Sequence, residues 1–169
     1  MARLTATILV SAALIATAGC AKKRPEVLPP GPGDTGAGAV TPTPSTGPVP
    51  GSREDFMASV ASDTVNFDLD RYQIDSRAAQ ILDSQAQWLQ RYPNVRITIE
   101  GHCDERGTRE YNLALGDRRA NAAANYLAAR GIAPSRITTI SYGKERPLAL
   151  GSDDTSWAQN RRAVTITLQ

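Results

Sequence analysis

The sequence has no excess of either charge. Its 19 Lys and Arg nearly balance 17 Asp and Glu, for a net charge of +2. The basic residues are interleaved with acidic ones, so the basic stripe that a phosphate backbone requires is missing, and no nucleic-acid partner is expected. Histidine and cysteine are scarce: the chain has one histidine, His102, and two cysteines, Cys20 and Cys103. A zinc site wants four ligands at patterned spacings. The run His102-Cys103-Asp104-Glu105 offers only adjacent side chains that diverge, so no metal and no other cofactor is expected. No G-x-S-x-G elbow accompanies His102, which argues against a hydrolase; His102 is expected to fix a loop. No Gly-rich phosphate loop is present. The apolar run from Ile8 to Ala18 is too short to cross a membrane as a helix, which takes about 20 residues.

Three compositions divide the chain. Residues 1–19 read as an export signal: Arg3, then an apolar stretch, then small residues before a cut site. Ala18-Gly19-Cys20 resembles a lipobox, in which the cysteine thiol accepts lipid and becomes the mature N-terminus. Thr17 stands where that pattern prefers Leu. The alternative is an ordinary cut near Ala18 that leaves Cys20 a free thiol. Residues 20–52 are the acylated cysteine and a linker. Positions 21–52 hold eight of the eleven prolines and six of the thirteen glycines, with no aromatic residue. Such a stretch buries too little apolar surface to offset its ordering entropy. At about 3.1 Å per residue it spans roughly 100 Å when extended. Residues 53–169 are long enough for one hydrophobic core.

Within that domain, 64–67 alternate as a short strand, with Val65 and Phe67 on one face. Ser76 is read as the N-cap of a helix through about Arg91, in which Ala78, Ile81, Leu82, Ala86 and Leu89 recur at helical spacing beside Trp88. Residues 95–100 alternate as a strand. Residues 101–107 form a polar loop. A second helix runs from about Thr108 to Arg130, its buried stripe formed by Leu115, Ala122, Ala123, Tyr126 and Leu127, with Gly131 as the residue after the cap. Arg136 to Tyr142 is a third strand, a long Gly- and Asp-rich loop follows, and Ala163 to Leu168 is the last strand. Two helices of this length cover one face of a four-stranded sheet. The expected fold is a two-layer α/β sandwich (α+β): a four-stranded mixed sheet with two main helices on one face. The direction of the last strand stays open.

Several runs carry a resemblance. They are Phe67-Asp68-Leu69-Asp70; Glu100-Gly101-His102-Cys103-Asp104-Glu105-Arg106-Gly107-Thr108; Glu110 through Ala120; Ser141 through Pro147; and Asn160-Arg161-Arg162. Together, in this order, they resemble the OmpA-like peptidoglycan-binding family, in particular its lipid-anchored, peptidoglycan-associated branch. The resemblance implies a non-enzymatic outer-membrane lipoprotein that faces the periplasm. It would bind the diaminopimelate of the stem peptide without covalent chemistry and so tether membrane to wall. It further implies work with the Tol system during envelope constriction at cell division, through TolB and, beyond it, the inner-membrane Tol proteins. The same domain also serves flagellar stators and secretion-system anchors, but those usually carry a transmembrane helix or barrel upstream, where this chain has a signal and Cys20. A wall hydrolase that happens to bind its substrate is the third class.

The implied ligand ends in one ammonium and one carboxylate. By their place in the motif, Asp104 matches the family's ammonium ligand. Arg119 matches its carboxylate ligand, acting through planar two-pronged donors. Asn112, Leu115 and Arg119 share one helix face by spacing; Leu115 would pack on the ligand's methylene stem and Asn112 bond its amide. By resemblance Leu69 and Asp70 complete the pocket through backbone groups, and Arg106 adds a contact. On spacing alone, Asp104 and Arg119 read equally well as a surface ion pair. Arg118 should face away, toward solvent or an acidic partner. Asn160-Arg161-Arg162 either serves the ligand or ties a loop to the last strand. If Cys20 carries the lipid, Cys20→Ala should move the protein from the membrane pellet to the soluble fraction. Persistence in the pellet would place the anchor elsewhere.

Overall fold

The computed structural model describes residues 47–168. The expected signal, Cys20 and the linker through residue 46 lie outside the described residues. The elements in order are helix α1 (Arg53–Ser59), strand β1 (Thr64–Asn66), helix α2 (Ser76–Arg91), strand β2 (Arg96–His102), helix α3 (Arg109–Ala129), strand β3 (Ile137–Gly143), helix α4 (Asp154–Asn160) and strand β4 (Arg162–Leu168). A 3-10 turn, Pro134–Arg136, leads into β3.

Each α-helix starts where a short polar side chain takes an otherwise unpaired backbone N–H. Ser52 caps α1, Thr108 caps α3, and Asp153 caps α4 through the amides of Thr155 and Ser156. The cap of α2 is Asp75, whose carboxylate accepts from the Ala78 amide at 2.7 Å. Ser76, expected to be that cap, is instead the first helical residue. Two neighbouring polar residues compete for the position, and the carboxylate is the stronger acceptor. Gly131, after α3, has φ +92°, the left-handed conformation that suits glycine.

Three further expectations need correction. β2 continues through Gly101 and His102, so the polar loop begins later than position 101. The segment read as one long loop contains α4, and α1 precedes β1. Both are seven-residue helices, too short to show a periodic stripe. The buried stripe of α3 contains Leu115, Ala123 and Leu127 as expected, whereas Ala122 and Tyr126 are only half-buried and Asn112, Gly116, Arg119 and Ala120 are buried.

The four strands form one mixed sheet in the order β1-β4-β2-β3. β2 and β3 run parallel, joined by α3 as a helical crossover. β4 lies between β1 and β2, antiparallel to both. Ile97, Ile99, Val65 and Ala163 meet Leu82, Ala86, Leu89 and Leu127 from the helices, and Phe56 and Trp88 close one end with an edge-on contact at 5.0 Å. Each large side chain so buried contributes about 1.5–3 kcal/mol.

One contact sets the distance between α3 and β2. Gly101 on the strand lies directly against Gly116 on the helix; a Cβ at either position would enter the other's backbone, and Gly116 also abuts the Ser141 hydroxyl. Because neither residue has a side chain, the helix approaches the strand end closely. Arg119 follows Gly116 by three residues, so the same approach brings its guanidinium to the His102 carbonyl, 2.8 Å away.

His102 itself is 1% exposed and stacks on Tyr142, with ring centroids 5.7 Å apart. Neither ring nitrogen has a hydrogen-bond partner among the described residues, so it packs rather than fixing a loop by hydrogen bonds, as had been expected. Burial first, then the charges of Arg162 and Arg146, push its pKa from 6.5 down to about 4. At neutral pH the ring is therefore uncharged, and its 3.5 Å approach to Glu100 is not an ion pair.

Gly101→Ala should cost about 3 kcal/mol or more, read from urea unfolding of the purified protein. A wild-type midpoint would show that the helix can move away at no cost. The folded His102 titrates near 4 and the unfolded one near 6.5, so its contribution is complete above pH 6.5 and is lost as the pH falls toward 4. The loss between pH 7 and pH 5 should be about 2 kcal/mol. His102→Phe should flatten that part of the profile; an unchanged slope would assign the loss to other groups.

Candidate functional site

At the end of the sheet where β2 stops, four segments converge on a cleft of about 310 Å³. The β1–α2 loop supplies Leu69 and Asp70. The β2–α3 loop supplies Cys103, Asp104, Arg106 and Gly107. The first three turns of α3 supply Tyr111, Asn112, Leu115 and Arg119, and the C-terminal end of α4 supplies Arg161. All seven residues singled out from the sequence (Asp104, Arg119, Asn112, Leu115, Leu69, Asp70 and Arg106) border this one cleft. Arg118, by contrast, is exposed and lies 5.9 Å from the Tyr72 ring.

Asp104 is 5% exposed. Arg106 holds it with two side-chain bonds, Nη2 to Oδ2 at 2.6 Å and Nε to Oδ1 at 3.3 Å, and its backbone amide adds a third. Arg161 Nη1 donates to Oδ2 at 3.3 Å. Burial opposes ionisation most strongly, but these donors outweigh it and hold the carboxyl below the usual range. No bond or ion pair joins Asp104 to Arg119 directly; the ion pairs of Asp104 are with Arg106 and Arg161.

Arg119 has no exposed surface, although it forms part of the cleft wall. Its Nε donates to the Arg71 carbonyl (2.8 Å), Nη1 to the His102 carbonyl (2.8 Å) and the Cys103 sulfur (3.3 Å), and Nη2 to the Asp68 carbonyl (3.1 Å). Burial lowers its pKa; nearby Cys103, Asp104 and Asp70 oppose that shift, while the charge of Arg161 adds to it. The Cys103 thiol is also buried and donates to the Asn112 carbonyl at 3.3 Å; burial first of all raises its pKa, which makes it inert packing.

The remaining residues shape the rim. Asn112 spends its amide N–H groups on the carbonyls of Arg106 (2.7 Å) and Thr108 (3.0 Å), so its offer to a ligand falls to Oδ1. Asp70 sits at φ +54°, a left-handed position that Asp tolerates, and accepts from the Tyr111 hydroxyl at 3.1 Å. Leu69 stays half exposed at the mouth, while Leu115 is buried in the wall. On the outer flank Trp157 of α4 lies 4.1 Å beneath the Arg106 guanidinium and donates to Glu105 at 3.0 Å. Arg161 and Trp157 escaped the sequence reading. The Asn160-Arg161-Arg162 run left two roles open, and only the course of α4 decides that Arg161 enters the cleft while Arg162 turns to the carbonyls of Asn160 and Arg146.

The cleft thus sets three arginines against two carboxylates, beside an apolar wall from Leu69 and Leu115. That arrangement suits a short aliphatic chain ending in both charges. No group of three or more His, Cys, Asp or Glu that could hold a metal occurs among the described residues.

Known proteins share this framework. The OmpA family model matches residues 66–161, which contain every residue of the cleft. A peptidoglycan-associated lipoprotein of Brucella melitensis is 56% identical over 152 residues, covering 90% of this chain and 85% of its own. One of Agrobacterium fabrum is 51% identical over 166 residues, covering 98% and 89%. The crystal structure of the peptidoglycan-associated lipoprotein from Burkholderia pseudomallei superposes with a TM-score of 0.62 at 44% identity, covering 64% of this chain and 92% of that one. The C-terminal domain of Helicobacter pylori MotB shares the fold alone, at 21% identity and a TM-score of 0.59. With its four-stranded mixed sheet, its helices on one face and this degree of identity, the chain belongs to the OmpA family, among the peptidoglycan-associated lipoproteins.

Proposed function

We propose that the protein is a non-enzymatic tether between the outer membrane and the cell wall. Lipid on Cys20 anchors it, and the cleft holds the diaminopimelate of a peptidoglycan stem peptide. The observation that carries this reading is the meeting of Asp104, Arg119, Arg161 and Leu115 in one cleft. The ligand's distal ammonium goes to Asp104, its distal carboxylate to the guanidinium side, and its methylene stem to Leu115. Leu69, Asp70, Asn112 and Arg106 line the approach. Two or more acyl chains hold the anchor, each buried methylene contributing about 0.8 kcal/mol. Anchoring raises the effective concentration of the domain beside the wall, so a modest single-site affinity suffices.

The family membership supports placing the protein in the Tol-Pal system, with TolB as its periplasmic partner and the inner-membrane Tol proteins beyond it, acting in envelope constriction. The MotB likeness supports only a shared fold.

Asp104→Asn keeps the shape of the site and removes its charge. It should reduce retention on purified sacculi at least tenfold while leaving the circular dichroism spectrum as in wild type. Full retention would show that the cleft is not the wall site. Arg119→Ala is a poorer probe. It leaves the carbonyls of Arg71, His102 and Asp68 unpaired and should lower stability by about 3 kcal/mol or more, so lost binding in that variant would report lost structure.

A further inference from the structure

A guanidinium has five N–H groups. Arg119 spends four of them on three carbonyls and a sulfur, all within the protein. One N–H remains, on Nη2. A carboxylate gripped in two places needs two parallel donors, so Arg119 supplies half of the grip. The other half must come from a second cation on the same wall.

Arg161 meets that requirement. Its backbone carbonyl accepts from the Phe67 amide at 2.9 Å, and its Nε donates back to the Phe67 carbonyl at 3.0 Å. Two reciprocal bonds fix the side chain before any ligand arrives. Arg119 Nη2 is bound to the next carbonyl along, that of Asp68. Carbonyls of adjacent residues therefore bring the two guanidiniums to neighbouring places in the cleft, near enough for the charge of Arg161 to bear on Arg119. The Arg161 side chain is 15% exposed, and its Nη2 has no protein acceptor. Arg106 is a poorer candidate. It is turned onto both oxygens of Asp104 and rests on Trp157, on the outer flank.

We infer that Arg161 and Arg119 form a two-arginine clamp on the carboxylate of the ligand's zwitterionic tip, with Arg161 the residue that distinguishes a free carboxylate from its amide. The inference rests on the wall-binding reading of the cleft. A carboxamide presents an N–H₂ to one arginine and leaves that donor unanswered. A carboxylate satisfies both, while its charge is balanced by two guanidiniums. Arg161 also touches Asp104, so the clamp and the ammonium site are held at a fixed spacing, which selects for both charges on one carbon.

The test uses the full-length chain in mild detergent and two probes: a stem tetrapeptide whose diaminopimelate carries a free distal carboxylate, and the same peptide with that carboxylate amidated. By calorimetry the wild type should prefer the carboxylate at least tenfold. R161Q should erase most of that preference, its loss falling chiefly on the carboxylate peptide. R161K keeps a charge without the parallel donors and should retain an intermediate preference. If R161Q fails to fold, R161K decides the matter. A wild type with no preference, or an R161K that keeps the preference undiminished, overturns the clamp. An R161Q that weakens both peptides equally also overturns it. D104N separates this from failure of the underlying reading: if it binds both peptides as well as wild type does, the cleft is the wrong site, whatever Arg161 shows.

Discussion

A buried guanidinium is tolerable only when acceptors surround it, and Arg119 finds them on separate parts of the chain. It bonds the Asp68 and Arg71 carbonyls of the β1–α2 loop, and the His102 carbonyl and Cys103 sulfur where β2 ends. The rest of the site depends on that tie. It holds the loop carrying Leu69 and Asp70 at a set distance from the loop carrying Asp104. It also fixes α3 against the strand end. The Gly101–Gly116 contact makes the tie possible, because only a bare backbone on each side lets the helix come so near. The glycine pair therefore acts on the cleft through distance, without touching it.

The cleft is electrostatically satisfied before any ligand enters. Asp104 is held by Arg106 and Arg161, Arg161 by Phe67, and Arg106 by Trp157. Such mutual support keeps the charged groups oriented and lowers the reorganisation that binding would otherwise require. It also means that a ligand's ammonium must share Asp104 with two guanidiniums. On the proposed reading, a ligand carrying both charges is favoured because each end relieves what the other disturbs: the ammonium takes a place at Asp104 while the carboxylate occupies the arginines thereby released. A ligand with one charge leaves a buried group unanswered, which is costly.

The proposed tether combines weak and strong attachments. Acyl chains hold one end tightly, while a cleft of about 310 Å³ holds the other by a single charged tip. Reversible binding at the wall suits a protein that must let go and rebind as the envelope is remodelled, and the anchor keeps it near enough to do so.

Some of this was decided along the chain. Alternation in 95–100 and the apolar spacing of 76–91 reflect faces that must be buried, and burial is periodic in sequence because strands and helices are periodic. Thr108, Asp75 and Gly131 mark helix ends through bonds to residues three or four positions away, and those stay local. The motif around Asp104 and the face shared by Asn112, Leu115 and Arg119 lie in one continuous stretch, so their grouping was readable there too. The tertiary structure alone decided what depends on distant partners. β4 lies between β1 and β2, a choice that no local pattern encodes. α1 and α4 are too short for periodicity to announce, and they are held by caps and by packing against other elements. Arg161 reaches Asp104 across 57 positions and Arg119 reaches Asp68 across 51. Hydrogen-bond donors have no sequence range: which acceptor an arginine finds is set by where the folded chain returns.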